Sequence, residues 1–509
     1  MIRRAVALAA FVGFVVPAVA QSPASDAPLS AIDWLSDTVV EPRFTAPPNG
    51  APVAEAVTTE AIDIAPLDTL AIDGVGLLPT RVTGLPTTFW GPTSVSDLIP
   101  LLADQSNDMP GPARDLLFRI LLAELNPPVD AGPDHALFLA RVDTLLRFGA
   151  LEQAQALLER AGPTEAALFR RWFDTSLLSG NEDRACAVMR AAPDIAPTFS
   201  ARVFCLARGN DWSAAALSLD TARALGVLGE ADDALLARFL DPELYEDQPM
   251  AALPTPLTPL SYRMLVALGE APSANSLPLA FSHAALDPVA GWKPRLEAAE
   301  RLTRYGGVAP TRLFALYTER RAAASGGVWE RVSAVQAVDA ALLGGDDDAL
   351  WRALPKAVEE LDHVGLFRAF AQHYGARIAG LTPPKAHLSV RDRIVLLGAD
   401  PEALADTIND PFLAGLARGL IPAGATTDDL RAAIATAFEG NGAPLPAALR
   451  TMLRDSRLGE ATLRALSRLD AADLDPGDVE VGLTLLRQLG FESTARETAL
   501  ALLLAQGGA

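Results

Sequence analysis

Three stretches of the chain share one pattern: LLRFGALEQAQALL at residues 145–158, SLLSGNEDRACAVM at 176–189 and CLARGNDWSAAALS at 205–218. In each, a glycine follows a leucine by three residues, an alanine follows the glycine by five, and another apolar residue follows by three more. The glycines are 31 (180 − 149) and 29 (209 − 180) residues apart. Recurrence at such a period indicates a repeat architecture, with one supersecondary unit in each repeat. The repeating residues are Leu146, Gly149, Ala154 and Leu157; Leu177, Gly180, Ala185 and Val188; and Leu206, Gly209, Ala214 and Leu217.

A pair of antiparallel helices explains this spacing. Glycine has no Cβ, so it can end the first helix in a left-handed conformation. A small alanine one and a half turns later lets the second helix approach the first closely. Apolar residues at helical spacing on both sides predict the buried faces of these helices. These stripes are Phe138, Val142, Leu145 and Leu146; Leu151, Ala154, Leu157 and Leu158; and Trp212, Ala215, Ala216 and Leu219.

The pattern over residues 134–225 resembles the tetratricopeptide repeat (TPR), whose first helix ends in glycine and whose second helix carries a small residue at this offset. The period is shorter than the 34 residues of that family. The proline that closes each repeat has counterparts at Pro163 and Pro193 but none in the third unit. The resemblance implies an all-α fold, an α-solenoid of stacked antiparallel helix pairs. Such solenoids present concave surfaces that hold extended peptides or partner proteins.

Composition and proline clusters divide the chain into segments. Half of the residues are hydrophobic and only 6% are aromatic, with many alanines and leucines, which favours helix over sheet. The predicted segments are a signal peptide (1–20), an extended Pro/Asp-rich segment with little structure (21–93), TPR-like repeats (94–240), a Pro-rich linker (241–261), a second helical block (262–382) and a C-terminal helical block (383–509).

The first twenty residues have the three parts of a secretory signal. Arg3 and Arg4 precede an apolar run, and the small-residue site Ala18-Val19-Ala20 follows it. We therefore predict cleavage after Ala20 and export to the periplasm. The apolar run is short for a membrane span, and no later stretch is long and apolar enough to form one.

Short apolar-acidic pieces interrupt the extended segment. Ile32, Trp34 and Leu35 form the first of them, and Val75 to Leu78 form another. Such pieces are too small to form a core of their own. Two interpretations remain open: they lie along the helical surface of this protein, or Trp34 and its neighbours dock onto a partner.

The two cysteines of the chain, Cys186 and Cys205, fall in consecutive predicted helices with a turn at Pro193-Asp194 between them. Antiparallel packing of these helices would put the sulfurs at about the same height. We therefore predict a disulfide, which an oxidising compartment would permit. The alternative is two small buried thiols that never meet.

The chain carries 63 acidic and 42 basic residues, a net charge of −21, which would repel nucleic acid. Between residues 363 and 393 the local charge is reversed, because basic side chains outnumber the single acidic one, Asp392. This patch is a candidate site for an anion or an acidic partner. The alternatives are a core position for His363 with arginines that are exposed or paired within the molecule, and a metal site, which the histidine spacing disfavours. The patch residues are Arg368, His373, Arg377, Lys385, His387, Arg391 and Arg393.

The usual signatures of catalysis are missing from the sequence. It has no His-Glu-x-x-His, no paired-cysteine motif, no Gly-x-Ser-x-Gly and no phosphate-loop lysine motif. We therefore expect no catalytic, cofactor or metal residues, and a non-catalytic scaffold or adaptor that binds protein or peptide partners in the cell envelope. Two other hypotheses remain: a binder of small molecules or cell-wall fragments, and an envelope enzyme of unrecognised type.

Overall fold

The computed structural model describes residues 71–249, 253–398, 400–422, 428–440, 442–472 and 474–506. Within these residues the chain is built from α-helices and short 3-10 helices without any β-strand, so the predicted all-α class is confirmed. Leu78 and Ala123 form an isolated parallel bridge. In the same part of the chain, no helix has the length and apolar character that crossing a membrane requires.

The α-helices are, in chain order, α1 (Thr80–Thr83), α2 (Val95–Ala103), α3 (Gly111–Leu121), α4 (Ala136–Arg147), α5 (Leu151–Ala161), α6 (Ala166–Ser179), α7 (Glu182–Ala191), α8 (Phe199–Arg208), α9 (Trp212–Leu225), α10 (Glu230–Leu240), α11 (Pro259–Leu268), α12 (Trp292–Arg304), α13 (Pro310–Glu319), α14 (Val328–Gly344), α15 (Asp347–Asp362), α16 (Phe367–Ala379), α17 (Leu388–Leu397), α18 (Pro411–Arg418), α19 (Asp429–Phe438), α20 (Ala447–Arg454), α21 (Leu458–Ser467), α22 (Pro476–Gln488) and α23 (Glu492–Gln506). Short 3-10 helices cover Ile72–Gly74, Pro193–Ile195, Glu243–Tyr245, Ala274–Ser276, Leu279–Leu286, Lys385–His387 and Ala405–Thr407.

The three predicted units are the helix pairs α4–α5, α6–α7 and α8–α9, and each pair packs on the next. Gly149 (φ 70°) and Gly180 (φ 76°) have the left-handed conformation that the pattern predicts. Ala154 and Ala185, five residues further on, are fully buried. In these two units the glycine and alanine therefore have the predicted roles.

The third unit differs from the prediction by one residue. Gly209 has φ −81°, and the left-handed residue is Asn210, with φ 61°. Asparagine tolerates this conformation because its short polar side chain can hydrogen-bond locally. Ala215, five residues after Asn210, is buried in place of Ala214. The spacing of five is thus kept, but in a register shifted by one residue.

Cys186 on α7 and Cys205 on α8 form a disulfide, with Cα atoms 4.9 Å apart, which confirms the predicted pairing. Both side chains are buried. The bond closes a loop between residues 19 apart in sequence. Closing such a loop removes conformations from the unfolded chain and stabilises the fold by about 3 kcal/mol.

We expect a double variant, Cys186→Ala with Cys205→Ala, to lose about 3 kcal/mol of unfolding free energy. Guanidinium unfolding followed by circular dichroism measures this loss. The wild type in dithiothreitol should approach the stability of the double variant once it has been unfolded and refolded. Equal midpoints for the variant and the oxidised wild type would contradict the prediction.

The line of packed helices closes on itself. Successive helices contact one another from α4 to α11, from α12 to α17 and from α20 to α23, while α18 packs on α23 and α19 packs on α22. The last helices also contact the first ones: α23 and α21 pack against α3, and α21 packs against α2. Gln105 spans this closure, donating from its amide nitrogen to the Leu463 carbonyl (3.3 Å) and the Ser467 hydroxyl (2.9 Å). The beginning and the end of the described chain therefore share one interface.

Residues 71–93 are packed on the helical body. Asp73 is buried, and its carboxylate accepts a hydrogen bond from the backbone N–H of Phe138 at 2.7 Å. The fully buried Arg141 donates to the backbone carbonyls of Asp73, Leu121 and Ala123. Val75 is buried as well. Thus the apolar piece at 75–78 lies against this protein, one of the two interpretations of such pieces.

The stretch predicted as a Pro-rich linker, 241–261, begins after α10 and includes the first three residues of α11, and these two helices contact each other. Leu236 before it and Leu265 after it belong to the same buried apolar cluster. A second cluster extends from Leu279 to Ile394. The buried core therefore contains residues from both sides of the proline cluster. The boundaries that the sequence predicts between the helical segments remain predictions.

Candidate functional site

A cavity of about 630 Å³ lies between α8 and α9 on one side and α11 with residues 284–290 on the other. Its volume is within the range of pockets that hold small ligands or short peptide segments. Aromatic side chains from α8, α9 and α10 (Phe204, Trp212 and Phe239) line it. We refer to this cavity as the groove.

Apolar side chains of the groove are exposed to an unusual degree. Trp212 is 50% exposed and Val289 is 94% exposed, although both are large and apolar. Phe204 and Phe239 also line the groove and stack on each other with ring centroids 5.4 Å apart, although Phe204 itself is only 1% exposed. Contiguous exposed apolar surface rimmed by polar groups is typical of a binding site.

Trp212 corrects one prediction from the sequence. The apolar stripe Trp212, Ala215, Ala216 and Leu219 was expected to be buried, but only Ala215 and Leu219 are. Because the left-handed residue is Asn210 and Asp211 caps α9 by accepting from the Ala214 N–H, Trp212 becomes the first residue of that helix. At this position its side chain lies at the groove instead of the core.

A buried carboxylate lies at the inner end of the groove. Glu182, the first residue of α7, is 1% exposed, and one of its oxygens accepts from Arg263 on α11 (3.0 Å) and lies 3.4 Å from Arg208 at the end of α8. The other oxygen has no hydrogen-bond partner among the described residues. A buried acceptor without a partner is costly, and because this oxygen is itself buried, a ligand reaches it only if the surrounding side chains move.

The structure does not gather the predicted basic patch into one site. Arg391 is buried and donates to Asp392 and Thr407, and thus has a role within the fold. His373 stacks on Phe314 and His387 on Trp351, with ring centroids 4.8 and 5.9 Å apart.

The remaining patch residues divide between solvent and a second cavity. Arg377 and Lys385 are exposed. Arg393 pairs with Asp362 at 3.0 Å, and Arg368 pairs with Asp115 on α3 at 2.7 Å. Both Arg368 and Arg393 border one cavity near the start of α16. Only these two residues of the predicted patch therefore share a site.

His363 contradicts the alternative that placed it in the core. It caps the C-terminal end of α15 and is exposed. A break between α15 and α16 separates His363 from the buried Phe367, Phe370 and Tyr374 of α16, so His363 does not share their helical face. Ile32, Trp34 and Leu35, the predicted docking segment, lie outside the described residues.

The described part of the chain holds no cluster of three or more histidine, cysteine or acidic side chains suited to a metal ion. No known protein family, curated protein or solved structure matches this chain. The functional assignment therefore depends on the geometry of its own cavities.

Proposed function

We propose that this protein is a non-catalytic binding protein of the cell envelope, which holds an extended segment of a partner protein in the groove between α8–α9 and α11. The half-exposed Trp212 beside stacked Phe204 and Phe239 is the observation that carries the proposal. Exposed tryptophans of this kind are typical anchors of protein interfaces.

The chemistry of the groove specifies the partner. A large apolar side chain of the partner would bind against the aromatic wall, because burial there removes its apolar surface from water. Arg208 and Asn210 add polar groups to the wall, which can pair with the main chain of a bound segment. The preferred segment thus carries an apolar side chain with main-chain polar groups close to it.

Two features of the sequence support this proposal. The resemblance of residues 134–225 to TPR implies stacked helix pairs, and solenoids of this kind use their surfaces for extended ligands. The groove lies at α8 and α9, the third of these pairs. The secretory signal of residues 1–20 supports a site of action in the periplasm.

A random-peptide display library tests the proposal with the mature protein as bait. We expect enrichment of sequences with a large apolar residue, and we expect Trp212→Ala to weaken binding of a selected peptide at least tenfold by isothermal titration calorimetry. Leu343→Ala is the matched control, since Leu343 is 74% exposed and apolar but lies on α14.

Two results would overturn the proposal. One is equal affinity of the selected peptides for wild type and Trp212→Ala. The other is binding of soluble cell-wall fragments in the same assay without any peptide selected, which would favour a wall-fragment binder.

A further inference from the structure

A third cavity, of about 510 Å³ and distinct from the one that Arg393 borders, lies where distant parts of the chain meet. The start of α3, the end of α12, the start of α16, the turn after α21 and the end of α23 all contribute to its wall. It is therefore a product of the closure between the two ends of the chain. The groove is built from other helices, so nothing in this cavity depends on the function proposed for the groove. We refer to it as the closure cavity.

Arg114 on α3 is the main charged group of the closure cavity. Its side chain is only 8% exposed, and no hydrogen bond or ion pair is formed by its guanidinium among the described residues. Burial lowers the pKa of Arg114 to about 10, so the group still carries its charge at neutral pH. The Asp115 carboxylate favours this charge from a distance but does not pair with it, so a ligand that bonded to the guanidinium would reduce the cost of burying it.

Two more arginines border the same space. Arg304 ends α12 and has no carboxylate partner within the described ranges, while Arg368 on α16 is paired with Asp115. Asp108 is the one acidic side chain in the wall of this cavity. With the Asp115 carboxylate that pairs with Arg368 counted, three guanidinium groups face two carboxylates, so in a chain with a net charge of −21 the site keeps a local excess of positive charge.

Glycines hold these arginines close to the backbone. A Cβ on Gly111 would lie 2.6 Å from the Arg368 side chain, and a Cβ on Gly306 would lie 2.9 Å from Nε of Arg114. A Cβ on Gly365 would lie 3.0 Å from Nε of Arg304. A larger residue at any of these three positions would displace the neighbouring arginine side chain. The glycines therefore leave room for the three arginines at this site.

Further polar groups in the wall lack partners. The Thr303 hydroxyl and the Asn107 amide oxygen are buried and have no hydrogen-bond partner among the described residues. Residues of the first turns of α3 and α16 also line the cavity, and helix N-termini favour negative charge. The Thr303 hydroxyl therefore adds one neutral donor to the cationic ones, whereas the Asn107 oxygen is an acceptor and does not favour an anion.

We propose that the closure cavity binds a small molecule through its oxyanion group, a carboxylate or a phosphate, with Arg114 and Arg304 as its direct partners. Planar guanidinium groups bind both kinds of oxyanion with paired hydrogen bonds. The volume is sufficient for an organic acid or a phosphorylated metabolite of moderate size.

Isothermal titration calorimetry and thermal unfolding test this site, with inorganic phosphate and succinate as probes and sodium chloride to hold the ionic strength constant. We expect at least one probe to bind the wild type and raise its unfolding temperature. The probe that binds distinguishes a phosphate site from a carboxylate site. Arg114→Gln and Arg304→Gln should each weaken that binding at least tenfold. Arg160→Gln, which removes an exposed arginine at the end of α5, should leave the binding unchanged.

The unliganded variants give a second measurement. Arg114→Met should raise the unfolding temperature without ligand, because it removes an unpaired buried charge. Since Arg304 is exposed, Arg304→Gln keeps the test valid if a variant at position 114 does not fold. Absence of binding by both probes, or equal weakening by Arg160→Gln, would overturn the proposal.

Discussion

Replacing Trp90 with alanine is expected to lower the free energy of unfolding by about 4 kcal/mol, the usual cost of removing a fully buried aromatic side chain. Trp90 is 1% exposed and packs at the closure between the chain ends. A Cβ on Gly459, the second residue of α21, would lie 2.5 Å from the Trp90 ring, so the two are in direct contact. Next to them the Gly459 N–H donates to the Phe89 carbonyl at 2.8 Å.

Packing accounts for this stabilisation, because the Trp90 indole N–H has no acceptor in the part of the chain that the structure describes. Urea unfolding measures the loss. Trp212→Ala is the matched control: the same substitution at a half-exposed tryptophan should cost less than about 1 kcal/mol. Similar losses in the two variants would show that Trp90 does not hold the chain ends together.

No pattern in the sequence predicts that the last helices, α21 and α23, pack against the first ones, α2 and α3. The pairs that make this contact, such as Gln105 with Leu463, are 358 residues apart and belong to no common repeat. Periodicity reports which face of a helix is buried but not which distant helix covers it. Residues 71–93 illustrate the same limit, since their prolines and short apolar pieces predict an extended chain whether or not that chain is packed on the body.

Local features were predictable where their cause is local. Gly149 and Gly180 end their helices as the spacing indicates, and Cys186 and Cys205 meet because their helices are neighbours. The third unit shows where this reasoning fails. Glycine and asparagine both adopt the left-handed conformation, so the pair Gly209-Asn210 leaves the register undecided by one residue. That one residue decides whether Trp212 lies in the core or at the groove.

The candidate sites were predictable only in part. An excess of basic residues at 363–393 drew attention to Arg368 and Arg393, which do border a cavity. Composition could not show that Arg391 is neutralised by its neighbour Asp392, nor that Arg114 is left unpaired. Pairing within a fold depends on which helices meet, so a charged residue that lacks a partner can be identified only in three dimensions.

His283 should make the stability of this protein depend on pH. It is 7% exposed, and its Nε2 lies 2.7 Å from the carbonyl oxygen of Gly149, the turn that ends α4. Burial lowers the pKa of His283 from 6.5 to about 4, although the bond to Gly149 and the nearby Glu152 act in the opposite direction. The imidazole is therefore neutral in the folded protein at pH 7, with its Nε2–H donating to Gly149.

The sign of the effect follows from proton binding. Between pH 6.5 and 4 the unfolded chain takes up a proton at this histidine and the folded chain does not, so stability decreases as the pH falls. The contribution of His283 to the free energy of unfolding is fully present above pH 6.5. It decreases by about 3 kcal/mol between pH 7 and pH 4. Acidic groups titrate in the same range, so the comparison must be made against a variant that differs only at this position.

His283→Gln provides that comparison, because the glutamine amide can still donate to the Gly149 carbonyl but does not titrate. We expect the difference in unfolding free energy between wild type and variant to shift by about 3 kcal/mol from pH 7 to pH 4, in favour of the variant in acid. His363→Gln, at an exposed histidine, should follow the wild-type curve. Parallel curves for wild type and His283→Gln would mean that the segment carrying His283 opens before the protein unfolds, so that the imidazole is protonated in solvent. In that case the Gly149 turn and residues 279–286 would separate at mild acidity while the remaining helices stay packed.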